Sequence, residues 1–562
     1  MEKPPSRDDT GVGTGPTDDP PDLRRFFAPS SVALVGATAD TSKFGGRCFR
    51  QLCHFGYRGR IYPVNPGRAE LDGLRCYPSL TELPEPPDHV GIVVPGEAAL
   101  TALRQAAALG APFATIFTAG FAETGTERGR ALQAEIRHIA QETGIRVMGP
   151  NCNGLVNFVD GFALTSTATI SGKRAPAGDV GLASHSGGLG QVSVMWRAQQ
   201  AGVPISYEVS CGNDADLDLL DYAGFMVDDP QTRVVLLLAE RISDGAKLAS
   251  LARRARDRDK PLLVLKLGRT EDGSRVAASH TGAVTGADAV HDAAFRQLGM
   301  IRVDDCAELY QTASVLRGRR PRSHRVGAMS LSGGHTVLIA DIGAAAGLQW
   351  PEYTPETQRR LAELLPAFGH VGNPTDVTAV ATGQPGLFRN VLQTLIADPN
   401  IDAMVPIITF ARRAEIEEVA ALARNASKPV TVLWTGTCSD DDTLSTRVFT
   451  DHRTPVFRDA TPLLRALRRA ADYVAFRALP TVTRPADIDP AAARAALGTG
   501  APTEREAKRV LACYGLPVVP ERLARSAEEA GRIAAGLRGR LALKIESPDI
   551  AHKTEAGGVR LD

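Results

Sequence analysis

The strongest constraint on the fold of this chain is that it repeats itself. Ser184-His185-Ser186-Gly187-Gly188 returns as Ser330-Leu331-Ser332-Gly333-Gly334, an offset of 146. Each copy ends a short apolar stretch, 180–183 or 326–329, and precedes a helix-like segment that stops at Ala201-Gly202 or Ala346-Gly347. Farther on, Asp229-Pro230 corresponds to Asp398-Pro399 and Lys260-Pro261 to Lys428-Pro429, at offsets of 169 and 168, so the second copy carries an insertion. The middle of the chain is therefore two related α/β units. Each has a small-residue turn where a strand feeds a helix, and such a turn leaves backbone N–H groups free to face an anion.

At 562 residues the chain exceeds a single core, so three or four domains are expected. Before the repeats, strand-like runs at 31–35, 60–66, 89–94, 114–117 and 146–152 alternate with helical segments. This predicts a parallel, Rossmann-like sheet over 23–150 with ligands at the carboxyl ends of its strands. The repeats occupy 151–320 and 321–480. An Ala/Pro/Thr/Asp-rich stretch at 481–502 reads as a linker. The last segment, 503–562, shows helices at 503–514 and 526–537 and a strand at 541–545. Residues 1–22 are rich in Pro, Gly and Asp without an apolar signal region, and read as a disordered tail.

Composition excludes several functions. With 64 basic and 64 acidic residues there is no basic field for nucleic acid or an anionic membrane. The longest apolar runs, such as 234–239, are too short to span a bilayer. Eight cysteines lie scattered, with no CxxC pair and no zinc-type cluster, so free thiols in a reducing cytoplasm are expected and no metal ligands are assigned.

The first turn, Gly36-Ala37-Thr38, lacks the GxGxxG pattern, and the second strand ends at Asn65-Pro66 rather than at a ribose-binding acid. A nicotinamide site, a glycine serving only a tight turn, and a different nucleotide-like ligand all remain open there. His280, in Ala278-Ser279-His280-Thr281-Gly282, follows the strand at 262–267 and a polar loop, before an expected helix. The second repeat has no equivalent histidine, which marks His280 as a candidate for function. Glu240 ends the strand at 234–239 in the same unit, where a carboxylate can hold an imidazole in one tautomer. His185 and His335 stand at the two repeat turns and read as ordinary turn residues.

Taken in order, these motifs, with Gly149–Gly154, Cys211-Gly212-Asn213, Gly372-Asn373-Pro374-Thr375-Asp376 and 547–559, carry a resemblance. The chain resembles the NDP-forming acyl-CoA synthetases, the ADP-forming acetate–CoA ligase group related to succinyl-CoA synthetase. The resemblance implies a CoA-binding domain, two flavodoxin-like ligase domains and the start of an ATP-grasp domain. It implies coenzyme A at Gly36, Ala37, Thr38, Lys43, Asn65, Pro66, Val94, Pro95 and Asn151. It implies a phosphohistidine at His280 with Glu240 as partner, and phosphate held by Ser184, Ser186, Gly187, Gly188, Ser330, Ser332, Gly333 and Gly334. Lys544 matches a nucleotide-phosphate lysine, and His552 a second histidine that relays phosphate.

The implied substrates are a small carboxylic acid or its acyl-CoA, phosphate, and ATP/ADP with Mg2+, in an oligomer. A non-catalytic CoA-binding relative and an unrelated dehydrogenase are the alternatives. The chain departs from the pattern in two places. About 60 residues follow the linker, whereas an ATP-grasp domain needs on the order of 150–200, so either a separate subunit completes the nucleotide site or the chain is a truncated or degenerate relative. His185 also replaces the Gln, Arg or Asn expected in the first serine turn.

Overall fold

The computed structural model describes residues 21–170, 174–281, 287–367, 369–379, 384–480, 488–497, 502–550 and 552–561, with the side chains of 278–281 excepted. The chain divides into two compact units, 1–478 and 479–562.

The first sheet of unit one contains β1 (Ser31–Val35), β2 (Arg60–Val64), β3 (His89–Ile92), β4 (Phe113–Ile116) and β5 (Arg146–Met148) in the order β2-β1-β3-β4-β5, all parallel. The order reverses between β1 and β3, and that switch point opens a crevice above the strand ends. The expected strands are all present, each within two residues of its predicted limits at most edges. Helices Gly96–Ala108 and Glu127–Thr143 bury Leu100, Leu103, Ile136 and Ile139 on one side of the sheet. Thr126 caps the second of them through Gly129 N at 3.0 Å, and Gly144 closes it in the left-handed conformation.

The second sheet has seven strands: β6 (Gly154–Asn157), β7 (Phe162–Thr165), β8 (Val180–Ser184), β9 (Ile205–Ser210), β10 (Val234–Ala239), β11 (Leu262–Lys266) and β12 (Ile301–Arg302). Their order is β12-β11-β10-β8-β9-β6-β7, with β6 and β7 antiparallel at one edge. Every residue of β8, β10 and β11 is buried, as expected of parallel strands covered on both faces. The third sheet contains β13 (Val326–Ser330), β14 (Thr375–Asp376), β15 (Ala403–Ala411), β16 (Val432–Cys438) and β17 (Val456–Phe457) in the order β14-β13-β15-β16-β17.

The repeat is thus structural. β8 corresponds to β13, β9 to β14, β10 to β15, β11 to β16 and β12 to β17, in one shared strand order. The insertion in the second copy holds helix Pro355–Leu364, capped by Thr354 with Pro355 in the first turn. The helices after the serine turns also differ. The first is a π-helix over Gly188–Trp196, the second an α-helix over Gly333–Ala345. Between the turn and the closing Ala-Gly the offset falls from 146 to 145, and a π segment absorbs one surplus residue of this kind.

The two copies join through their last helices, Cys306–Leu316 and Ala460–Ala478, which follow the equivalent strands β12 and β17. Leu309, Leu316, Leu463, Leu467 and Tyr473 share one core. Buried Glu308 receives Arg465 at 3.2 Å and Arg469 at 2.9 Å across this joint.

Unit two holds helices Pro490–Ala496, Glu504–Ala512 and Ala527–Ala535 and the antiparallel strands β18 (Ala542–Lys544) and β19 (Val559–Leu561). The stretch read as a linker is therefore partly helical. Asp489 caps Pro490–Ala496 by accepting from Ala492 N at 2.9 Å, an Asp-Pro start signal that the Ala/Pro composition concealed. Of the tail, residues 1–20 lie outside the described residues, while Leu23, Phe26 and Phe27 are already buried. No helix among the described residues is long and apolar enough to cross a membrane.

Candidate active site

The residues expected to meet coenzyme A gather above the first sheet. Gly36 follows β1 at φ 89° and donates to Val64 O at 3.0 Å. A Cβ there would lie 3.1 Å from Val93 O and 3.2 Å from Val94 Cγ1, so the turn abuts the end of β3 at the switch point. Ala37 O accepts from Asn65 Nδ2 at 2.9 Å, which ties the ends of β1 and β2 together. Thr38, Pro66 and Pro95 lie in the same loops. Lys43 is the N-cap residue of helix Phe44–His54, its Nζ 3.8 Å from Asp40. That helix comes close because Gly45 has no side chain: a Cβ would stand 2.1 Å from Gly36 O. Asn151, after β5, has φ 57° and donates from Nδ2 to Asn213 Oδ1 at 3.2 Å, linking this crevice to the second sheet.

Three neighbouring strands of the second sheet carry the catalytic candidates at their carboxyl ends: β8 the serine turn, β10 Glu240, and β11 the helix Glu271–Thr281. His280 is the penultimate residue of that helix rather than part of a loop before one, and its side chain lies outside the described residues. In the serine turn, buried Ser184 donates to Ser186 O at 2.8 Å, and Gly190 N reaches Ser186 O at 2.9 Å. Gly187 packs against the Asn153 amide, where a Cβ would meet Nδ2 at 2.2 Å. In the second copy Ser330 Oγ accepts from Ser332 N at 3.0 Å, and Ser332 is the N-cap residue of the helix beginning at Gly333 and Gly334. Both turns stand at the carboxyl end of a central strand.

Beneath the first turn lies a set of groups that pattern reading passed over. His185, read as an ordinary turn residue, is 5% exposed. Its Nε2 sits 2.7 Å from Asp214 Oδ2, and its Nδ1 is 3.2 Å from the backbone N of Glu240. A ring nitrogen that receives a backbone N–H is the acceptor, so Nε2 carries the proton and donates to Asp214. Burial opposes the ionised form of Asp214, but His185 and Arg241 outweigh it and hold the pKa below the ordinary value. Cys211 Sγ joins His185 and Asp214 within 4.8 Å. Its thiol donates to Ser184 O at 3.2 Å, and burial pushes its pKa far up. Arg241, 3.5 Å from Asp214, supplies the positive charge in this cluster.

Lys266, 1% exposed at the end of β11, donates to Glu240 O at 2.7 Å, and burial lowers its pKa. Glu208, fully buried in β9, receives Gln191 Nε2 at 2.9 Å, and burial raises its pKa to about 8. A charged residue within an apolar strand was the available signal for Lys266 and Glu208. Nothing in the local sequence pairs His185 with Asp214, which lies on another loop.

In unit two, Lys544 and Lys553 both reach Glu504, at 2.8 and 3.1 Å. With Lys508 they lower the Glu504 pKa to about 2. His552 is exposed in the turn between β18 and β19.

A crevice at a strand-order switch point followed by two copies of a flavodoxin-like unit, each with a serine turn at a strand's carboxyl end, is the fold of a CoA-dependent acid ligase. The family comparisons give the same sequence of parts. A CoA binding domain matches residues 30–157, a succinyl-CoA ligase like flavodoxin domain 177–316, a Ligase-CoA domain 326–478 and an ATP-grasp domain 493–562. The acetate–CoA ligase [ADP-forming] I of Archaeoglobus fulgidus is 31% identical over 96% of this chain and 78% of its own length. Subunit alpha of the acetate–CoA ligase [ADP-forming] II of Pyrococcus furiosus is 33% identical over 73% of this chain and 90% of its own. Among solved structures, the dinucleotide forming acetyl-coenzyme A synthetase 1 of Ca. Korarchaeum cryptofilum, in complex with phosphate and ADP, matches with a TM-score of 0.74 at 29% identity. That match covers 82% of this chain and 98% of the other. The chain belongs to the ADP-forming acetate–CoA ligase family.

Proposed function

We propose that this protein interconverts an acyl-CoA, phosphate and ADP with the free acid, CoA and ATP. Phosphate attacks the thioester carbonyl to give acyl phosphate and CoA. The imidazole of His280 then takes the phosphoryl group and releases the carboxylate, and ADP removes it as ATP. The observation that supports this reading is the order of the elements: the Ser184 turn, Glu240 and the helix that bears His280 each follow one of the neighbouring strands β8, β10 and β11.

Each group has a chemical task. Coenzyme A lies along Gly36–Thr38, Lys43, Asn65-Pro66, Val94-Pro95 and Asn151. Neutral imidazole is a good nucleophile near neutral pH, and Glu240 supports the charge that develops on it. The N–H groups and helix dipoles of the Ser184–Gly188 and Ser330–Gly334 turns offset the phosphoryl charge. Lys544 and His552 serve the nucleotide end of the relay. ADP enters with Mg2+ as counter-ion. Glu504 and Glu546 of unit two are engaged by lysines, so neither is assigned to the metal.

The test omits nucleotide. The purified protein is incubated with acetyl-CoA, then other acyl-CoAs, and radiolabelled phosphate, and acid-labile label on the protein is counted. The expected result is label that disappears in His280→Ala while CoA affinity stays within about twofold. Absence of label with every acyl-CoA, despite CoA binding, leaves a non-catalytic CoA-binding protein instead.

A further inference from the structure

We infer that His185 is a positioning residue for Glu240, locked in one tautomer by Asp214, and that it sets the rate of phosphoryl transfer without touching acyl-CoA. The inference rests on the proposed pairing of Glu240 with His280 and adds a group to it.

Glu240 is the first residue beyond β10, where the sheet's own hydrogen bonding ends. Its backbone is held there by two buried side chains from different strand ends. Its N–H donates to His185 Nδ1 at 3.2 Å, and its carbonyl accepts from Lys266 Nζ at 2.7 Å. His185 N meanwhile donates to Leu238 O at 3.1 Å, so the serine turn and the end of β10 are tied twice. A histidine does this work only while Nδ1 remains free of a proton. Asp214 enforces that state by accepting from Nε2 at 2.7 Å. Asp214 in turn sits at φ 49° in the loop after β9, beside Arg241, whose guanidinium lies 3.5 Å away. The chain of support therefore runs from Arg241 and Asp214 through the imidazole to the Glu240 backbone. It has a consequence for chemistry because misplacing a reacting or charge-supporting group by an ångström can cost on the order of 100-fold in rate.

The test separates the Nδ1 contact from the rest of the ring. His185→Asn and His185→Leu are made in an Asp214→Asn background, so that neither leaves a buried carboxylate without its partner. Asparagine also tolerates the left-handed backbone at that position. The Asn side chain in place of His185 puts an oxygen near the Nδ1 position, and Leu puts none. Formation of acid-labile label from acyl-CoA and radiolabelled phosphate is followed as a function of acyl-CoA concentration, with melting midpoints as a check of folding. The expected result is that the His185→Asn form keeps a maximal rate within about threefold of the Asp214→Asn parent. The His185→Leu form should fall by roughly 10- to 100-fold at an unchanged half-saturating acyl-CoA concentration. Equal rates in the Asn and Leu forms, or a change confined to half-saturation, overturn the inference. An absence of label in the unmodified protein instead overturns the phosphohistidine reading itself. If labelling occurs but does not respond to Glu240→Gln, the pairing fails while the phosphohistidine stands.

Discussion

Glu208 shows what a single buried carboxyl does to this molecule. Its pKa rises from 4.5 to about 8 because burial disfavours the charged form. Between those values the folded protein holds a proton that the unfolded chain has released, so stability falls as pH rises through the window and levels above about 8. Glu208→Gln removes the titration. Its stability advantage over the parent is therefore expected to grow from pH 5 to pH 8, reaching on the order of 4 kcal/mol. Urea denaturation at several pH values checks this, and a pH-independent difference means that Glu208 is ionised in the fold. The residue types were legible here, but not their partners. His280 stood out because the second repeat has no equivalent histidine, and Glu240 because it ends a strand of the same unit. The grouping of His185, Asp214 and Lys266 about the end of β10 was missed because it depends on the strand order β11-β10-β8-β9, which no local pattern encodes.

At the scale of elements, the contact between helix Phe44–His54 and the Gly36 turn shapes the crevice proposed for CoA. Gly45→Val forces a side chain into this contact, where even a Cβ would stand 2.1 Å from Gly36 O. The helix must retreat, and overpacking of this kind costs about 1–3 kcal/mol. Calorimetric titration with CoA is expected to show at least a tenfold loss of affinity, while phosphorylation of His280 from acyl phosphate continues. Unchanged CoA affinity removes the crevice from the CoA site. Strands were the most legible elements, since a buried parallel strand is a continuous apolar run and its ends fall at Gly, Pro or Asn. Helices bearing polar loop-like sequence were less so. The His280 segment reads as Ser, Thr and Gly but continues helix Glu271–Thr281, and the 490–496 helix is hidden by its Ala/Pro composition.

For the whole molecule, the joint between Cys306–Leu316 and Ala460–Ala478 determines how the two serine turns are carried. Glu308→Ala removes the acceptor that Arg465 and Arg469 share, and is expected to cost about 2 kcal/mol, since both arginines retain access to water. Thermal unfolding followed by calorimetry checks the value, and a loss near zero means that apolar contacts alone hold the joint. The repeat itself was legible from two five-residue motifs and from the Asp-Pro and Lys-Pro pairs that follow each copy in the same order. The way the copies join was not, because those helices carry no shared motif. An interface built from equivalent helices is the arrangement that a twofold homodimer uses. Here both partners lie on one chain, so their stoichiometry is fixed at one to one and the contact needs no threshold concentration to form. Neither copy has to serve both roles: one keeps the histidine and the other bears the insertion.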